Sequence, residues 1–275
     1  MATESLAELA RFAPDVYGFR YQYHVALFIV TGGGVILADA IGQANPRTPH
    51  LIKEAIRSVT DQPVKYFVYS HSAFDHSTGG GAFADTATFV GHQNTVARIA
   101  AAKDPATPVP EMTFDKQLTL ELGGKRIELY AADLSEHDDY LILHDPQGRV
   151  VMTVDFVQPR NVPFRTLLGH PDFIVKRLQW IHDNLDFDVL VCGHASPMTG
   201  TKEDVLEQRQ YYLDLSEAIA AARAGGAADN SPGMLAAVRG TLAGKYGQWR
   251  RFDEFLALNI EGMIRWRAGE APALH

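Results

Sequence analysis

The sequence predicts an α/β protein built as an αββα sandwich, four stacked layers of helix, sheet, sheet and helix, with a helical extension at the C-terminus. Two observations carry this. Short apolar, β-branched runs alternate with amphipathic helical periods in two successive halves of the chain, with β-meanders inside each half. From about Thr201 onward the pattern is helical throughout. The expected organisation is one layered domain over residues 1–200 and a helical extension over 201–275. The Pro-rich stretch Lys103 to Pro110 reads as the seam between the two halves of the sandwich rather than as a domain boundary.

The elements follow in order. Val25 to Val30 (VALFIV) and Val35 to Ala38 (VILA) flank Thr31-Gly32-Gly33-Gly34, which predicts a hairpin with a glycine turn. From Thr48 to Val59, apolar Leu51, Ile52, Ala55, Ile56 and Val59 share one helical face, with Thr48 as N-cap and Pro49 behind it. Val64 to Tyr69 is a strand that runs into a His-rich loop. Thr88 to Val90 is a short strand and His92 to Ala102 a helix. Strands are expected over 117–122, 126–131, 140–143 and 150–154. A helix over 173–184 and a strand over 187–191 complete the second half. Helices over 203–223, 232–246 and 252–267 make up the extension.

Composition narrows the classes of function. The 275 residues are 46% hydrophobic and 21% charged, which excludes disorder as the main state. No stretch approaches the ~20 continuous apolar residues that span a bilayer, so no membrane partner is expected. The opening MATESLAELARF lacks the basic-then-apolar order of a signal peptide, giving a cytoplasmic expectation. A net charge of −8 argues against a nucleic-acid partner. A small-molecule substrate is expected, and the C-terminal helices make a homodimer plausible. The lone cysteine, Cys192, excludes a disulfide framework and a multi-cysteine zinc site, so any metal must be held by His and carboxylates.

Three polar clusters sit where apolar strands end: His71-Ser72-Ala73-Phe74-Asp75-His76, then Asp155, then Gly193-His194. Side chains at strand ends are held by a rigid scaffold and can converge. Imidazole with carboxylate suits zinc, iron or manganese. Gly79, Gly80 and Gly81 let the loop after His76 turn closely.

HSAFDHSTGG resembles the signature loop of the metallo-β-lactamase superfamily, whose pattern is His-x-His-x-Asp-His. TVD ending in Asp155 resembles that family's bridging aspartate, and CGH ending in His194 its last metal-binding histidine. The similarity runs from about Phe12 to Pro197 and includes VILADA, ending at Asp39 and Ala40, and the FVGHQNT segment with His92. It implies two metal positions: one held by the two signature histidines and a middle histidine, the other by Asp75, His76 and His194, with Asp155 between. This chain departs from the pattern twice. Ala73 stands at the second signature histidine and Ser135 at the middle one, so His71 alone remains of the first position's imidazoles. The expectation is one ion, zinc with iron or manganese as alternatives, held by Asp75, His76, Asp155 and His194. His137, Glu136 or Asp133 could rebuild the first position.

The resemblance implies a metal-dependent hydrolase acting on an ester-, amide- or phosphoester-type bond. Asp75 would orient water or accept its proton, and His71 would serve as a hydrogen-bonding or general-base group. An iron-containing redox member, or a non-catalytic metal-binding member, is the alternative. His92 reads as structural and Cys192 as a small buried residue. His24, His50, His144, His170, His182 and His275 belong to no constellation. Arg160 and Arg165 lie near Asp155 in sequence and read as loop residues before substrate contacts.

Overall fold

Paired strands in two separate sheets place the polar loops, and both sheets belong to one unit of the protein. The computed structural model describes residues 6–134, 138–194 and 197–270. The first unit comprises the chain up to Ala132, Asp138–Asp155 and Leu185–Gly200. The second takes Asp133, Phe156–Asn184 and the chain from Thr201.

In the first sheet β1 (Ala7–Ala13), β2 (Val16–Tyr21), β3 (His24–Thr31), β4 (Gly34–Ala38), β5 (Val64–Val68), β6 (Thr88–His92) and β7 (Met112–Phe114) lie side by side in chain order. β1 to β4 pair antiparallel through tight turns, and β4 to β7 pair parallel. Parallel neighbours need crossovers. These are supplied by α1 (Thr48–Arg57), the single turn α2 (Phe74–Ser77) and α3 (Gln93–Ala102). The second sheet is formed by β8 (Gln117–Leu122), β9 (Lys125–Ala131), β10 (Leu141–Asp145), β11 (Val150–Val154), β12 (Val189–Cys192) and β13 (Thr199–Gly200). All its pairs are antiparallel except β11 with β12.

The near-continuous apolar runs of β3 and β4 are those of strands covered on both faces. Phe28, Leu37 and Phe67 cluster with Ile52 and Ile56 of α1 and Ile99 of α3. Leu27, Ile29, Ile36 and Val68 point the other way and are equally buried. The glycine turn of the β3–β4 hairpin has a tertiary reason. Gly32 N–H donates to Gly123 O at 3.1 Å. A Cβ on Gly123 would lie 2.0 Å from Gly33 N, and Gly123 itself sits at φ +54°. Two hairpin turns, one from each sheet, thus meet backbone to backbone.

The second unit contains α4 (Pro171–Asn184), α5 (Lys202–Ala224), α6 (Pro232–Tyr246) and α7 (Phe252–Arg267). α5 starts in a capping box between Thr201 and Asp204, and α6 with Ser231 capping ahead of Pro232. Tyr211, Tyr246 and Trp249 pack ring on ring, and the Tyr211 hydroxyl donates to buried Asn259 Oδ1 at 2.8 Å. Among the described residues no helix is long and apolar enough to cross a membrane.

Two details differ from the sequence expectation. Arg47, not Thr48, stands at the N-cap position of α1, without a side-chain capping hydrogen bond, and Thr48 is the buried first residue. β1 and β2 precede the hairpin and were not expected from the sequence pattern.

Phe67 touches Tyr69, Phe83 and Phe89 ring to ring and is fully buried. Phe67→Ala is expected to lower unfolding free energy by about 3–5 kcal/mol, read as an earlier midpoint in urea.

Candidate metal centre

The site grows from strand ends within the first unit. β11 and β12 run parallel, so Asp155 and Gly193-His194 leave the second sheet at the same edge, with Gly193 N–H donating to Val154 O at 2.7 Å. β4 and β5 likewise end together, placing Asp39 beside Ser70 and His71. Two cross-links join these edges: Leu141 N–H donates to Ser70 O at 2.9 Å and Val25 N–H to Gly193 O at 2.8 Å.

All five residues expected from the sequence meet here. His76 Nε2 lies 2.9 Å from His194 Nε2, 3.2 Å from Asp155 Oδ1 and 3.6 Å from Asp75 Oδ2. His194 Nε2 lies 3.0 Å from Asp75 Oδ2 and 3.3 Å from Asp155 Oδ1. His71 Nε2 lies 3.3 Å from Asp155 Oδ2, the other oxygen of that carboxylate. Two triplets, His76–Asp155–His194 and His24–Asp75–His194, each bring one donor atom per residue within 4.8 Å of the others.

The donor chemistry fits a cation. Ligands bound at about 2.0–2.2 Å in a tetrahedron stand about 3.3 Å apart, and the five distances around His76 and His194 bracket that value. Two imidazole nitrogens facing each other need a proton or a cation between them. His76 has the partner that a ligating imidazole takes, since its Nδ1 faces Asp39 Oδ2 at 3.2 Å. Asp39 is fully buried, and its Oδ1 accepts from Ser70 N–H at 2.9 Å. The residues that would hold the ion are Asp75, His76, Asp155 and His194.

Electrostatics follow from this crowding. Burial alone would raise Asp75, but the neighbouring imidazoles of His194, His24 and His76 outweigh it and hold the carboxyl well below the usual range. Burial opposes ionisation of Asp155 as well, and the adjoining imidazoles, His76 foremost, overcome it. Burial works against a charged His76, yet Asp155 and Asp39 lift it well above the ordinary histidine value. His71 goes the other way, because burial dominates and keeps it neutral. Tyr140 stacks on His71 with ring centroids 4.1 Å apart and donates its hydroxyl to Asp155 Oδ2 at 3.2 Å. Burial, reinforced by Asp155, keeps that phenol protonated.

Backbone shape is part of the site. Val154 sits at φ +48°, a region that β-branched residues avoid, at a register shift in the β11–β12 pairing. Strain of this kind costs on the order of 1–3 kcal/mol and gathers at functional sites. A Cβ on Gly193 would stand 2.8 Å from His76 Cε1 and 2.7 Å from Val154 Cγ2.

Other sequence assignments find their places. Ala73 stands at the N-cap position of the α2 turn with no side-chain capping bond, a methyl group where the resembled pattern has an imidazole. Ser135, Glu136 and His137 lie outside the described residues. Asp133 pairs with Arg177. His92 caps α3, its ring accepting from Asn94 N–H and reaching Asp115 O. Arg160 and Arg165 belong to the second unit. His24, given no role by the sequence, sits with Asp75 and His194. It is a lone histidine in chain order, and only strand pairing brings it here. Asp139 was also missed. Its Oδ2 accepts from Ser72 N–H at 2.8 Å, and Arg98 pairs with it at 2.9 Å, bracing the His71–His76 loop.

No protein-family model matches the chain. Among curated proteins, it is 25% identical over 246 residues to the 2,4-dinitroanisole O-demethylase subunit alpha of Nocardioides sp. (strain JS1661), covering 86% of this chain and 72% of that one. Among solved structures, the stereoselective inverting sec-alkylsulfatase Pisa1 from Pseudomonas sp. aligns at a TM-score of 0.72 and 14% identity, over 94% of this chain. This chain spans 50% of that sulfatase's length. A metallo-β-lactamase from Pontibacter korlensis aligns at a TM-score of 0.60 and 22% identity, covering 74% of this chain and 99% of that one. The chain has the metallo-β-lactamase fold, as its signature loop implied.

Gly193→Ala is expected to push His76 and Asp155 apart and weaken zinc binding by about tenfold or more, measured by chelator competition. Gly240→Ala, at an open position on α6, should leave that affinity unchanged.

Proposed function

We propose that the protein is a metal-dependent hydrolase with one ion, held by Asp75, His76, Asp155 and His194. The observation that carries this is the convergence of their donor atoms at 2.9–3.6 Å around the His76–His194 pair. A divalent ion held there supplies Lewis acidity toward a substrate oxygen and makes water more acidic. Zinc fits the donor set, as do iron and manganese.

The chain's own groups divide the remaining work. Asp75, held ionised at the more exposed side of the cluster, orients a water molecule by accepting its hydrogen bond. Its depressed pKa makes it a poor proton acceptor, so that role passes to His71. Burial keeps His71 neutral and its Nε2 faces the site. Tyr140 holds His71 by stacking and fixes Asp155 through its hydroxyl.

Substrate class is read from two further features. Tyr23 and Phe74, the neighbours of His24 and Asp75, are both more than half exposed and offer an apolar rim. The names of two relatives refer to alkyl groups joined through oxygen, an anisole and a sec-alkyl sulfate. We therefore favour a small substrate with an alkyl or aryl group on an ester-type oxygen.

Element analysis of protein purified without added metal should give about one equivalent of a first-row metal per chain, as a single site of this donor set holds one ion. Asp75→Ala should abolish hydrolysis across a panel of aryl and alkyl esters and sulfates. Two equivalents per chain would refute the single-ion reading, and activity that survives both chelation and Asp75→Ala would refute the metal-dependent one.

A further inference from the structure

We propose that His24 is an additional nitrogen donor to the ion, entering the metal centre from β3 on the Asp75 side. This deepens the reading of the site as a metal centre and rests on it. The signature loop has lost an imidazole at Ala73, on the side where His71 faces Asp155. His24 instead brings one to Asp75 and His194, through a strand that contributes nothing else to the expected ligand set.

Three observations support the assignment. His24 Nε2 stands 3.6 Å from Asp75 Oδ2. That gap is long for a hydrogen bond, yet it equals the His76–Asp75 separation across the proposed ion. His24 also meets the other two imidazoles edge on, with ring centroids 4.6 Å from His194 and 5.9 Å from His76. His76 and His194 themselves cross at 86°. The three rings thus gather in one volume and cross one another instead of stacking face on face. Finally, His24, Asp75 and His194 satisfy the same proximity criterion as His76, Asp155 and His194. The two triplets share His194, and Asp75 Oδ2 lies 3.0 Å from its Nε2, so we place His24 at this centre and not at a second one.

The structure also ranks the donors. Ligation through Nε2 puts the ring proton of His24 on Nδ1, which is buried and has no hydrogen-bond partner. His76 has Asp39 in the equivalent place. His24 is therefore the weaker ligand, and removing it should cost less affinity than removing His76.

The test loads purified wild-type protein, His24→Ala, His24→Phe and His76→Ala with zinc and with cobalt(II). The Phe variant keeps a ring packed against His194 and removes the nitrogens, and thermal melting confirms that each variant folds. Chelator competition should show zinc binding weakened by about tenfold in both His24 variants and by more in His76→Ala. The visible cobalt bands should intensify in the His24 variants, because loss of a ligand lowers the coordination number. Unchanged affinity in both His24 variants would overturn the proposal. So would weakened affinity with unaltered cobalt bands, which would mean that His24 acts through Asp75. Wild-type protein that takes up neither ion would overturn the metal centre itself, a result distinct from failure of His24 alone.

Discussion

Crowded negative charge, most of it withdrawn from water, is the constraint on which the site depends. The carboxylates of Asp39, Asp75 and Asp155 lie among the imidazoles of His24, His71, His76 and His194 within a few ångströms. Asp39 is wholly buried and Asp155 nearly so. Buried carboxylates are costly unless positive charge and hydrogen bonds compensate them. The proton held by His76 compensates them in part in the free chain, and a divalent cation would do so with greater geometric selectivity. On the reading proposed above, the cluster serves to bind a cation because it is an electrostatic problem, and the fold is arranged to hold that problem in place.

That arrangement is made by main chain more than by side chain. Parallel pairing of β11 with β12 brings Asp155 and His194 to one edge, and parallel pairing of β4 with β5 brings Asp39 to His71. The two sheets are then fastened at both ends of the β3–β4 hairpin. At one end Gly32 meets Gly123, and at the other Val25 donates to Gly193, while Leu141 of β10 adds a further link to Ser70 beyond β5. Fixing both ends removes the freedom of the sheets to slide, which a ligand set drawn from both could not tolerate. The unusual backbone of Val154 and the absence of a Cβ at Gly193 are local accommodations to the same demand.

Much of this was legible in the sequence, for identifiable reasons. β3, β4, β5 and β11 announce themselves as dense apolar runs because both their faces are covered. β1 does not, since AELARFA carries charges on an exposed edge strand and alternates weakly. The Asp75–His76 loop and the CGH turn stood out because motif order fixed their meaning. His24 did not, because a single histidine opening an apolar strand carries no local pattern. Its meaning depends on strand pairing and on residues far along the chain. Asp139 and Tyr140 were hidden in the same way. Thr48 looked like a cap because capping residues are recognised by type, yet Arg47 takes the capping position and Thr48 is buried as the first residue of the helix.

One consequence of the unit boundaries concerns how such a site comes into being. Between Asp155 and His194, neighbours in space, the chain makes an excursion through Phe156–Asn184 into the second unit before returning. His76 and His194 touch across a sequence separation of 118 residues. Contacts so distant along the polypeptide form late and slowly. A nascent chain halted between Asp155 and Leu185 would therefore possess the first sheet, the signature loop and Asp155, yet lack the cation donor that His194 would add. The completed centre also acts as a clasp, tying early and late segments together once synthesis has delivered both.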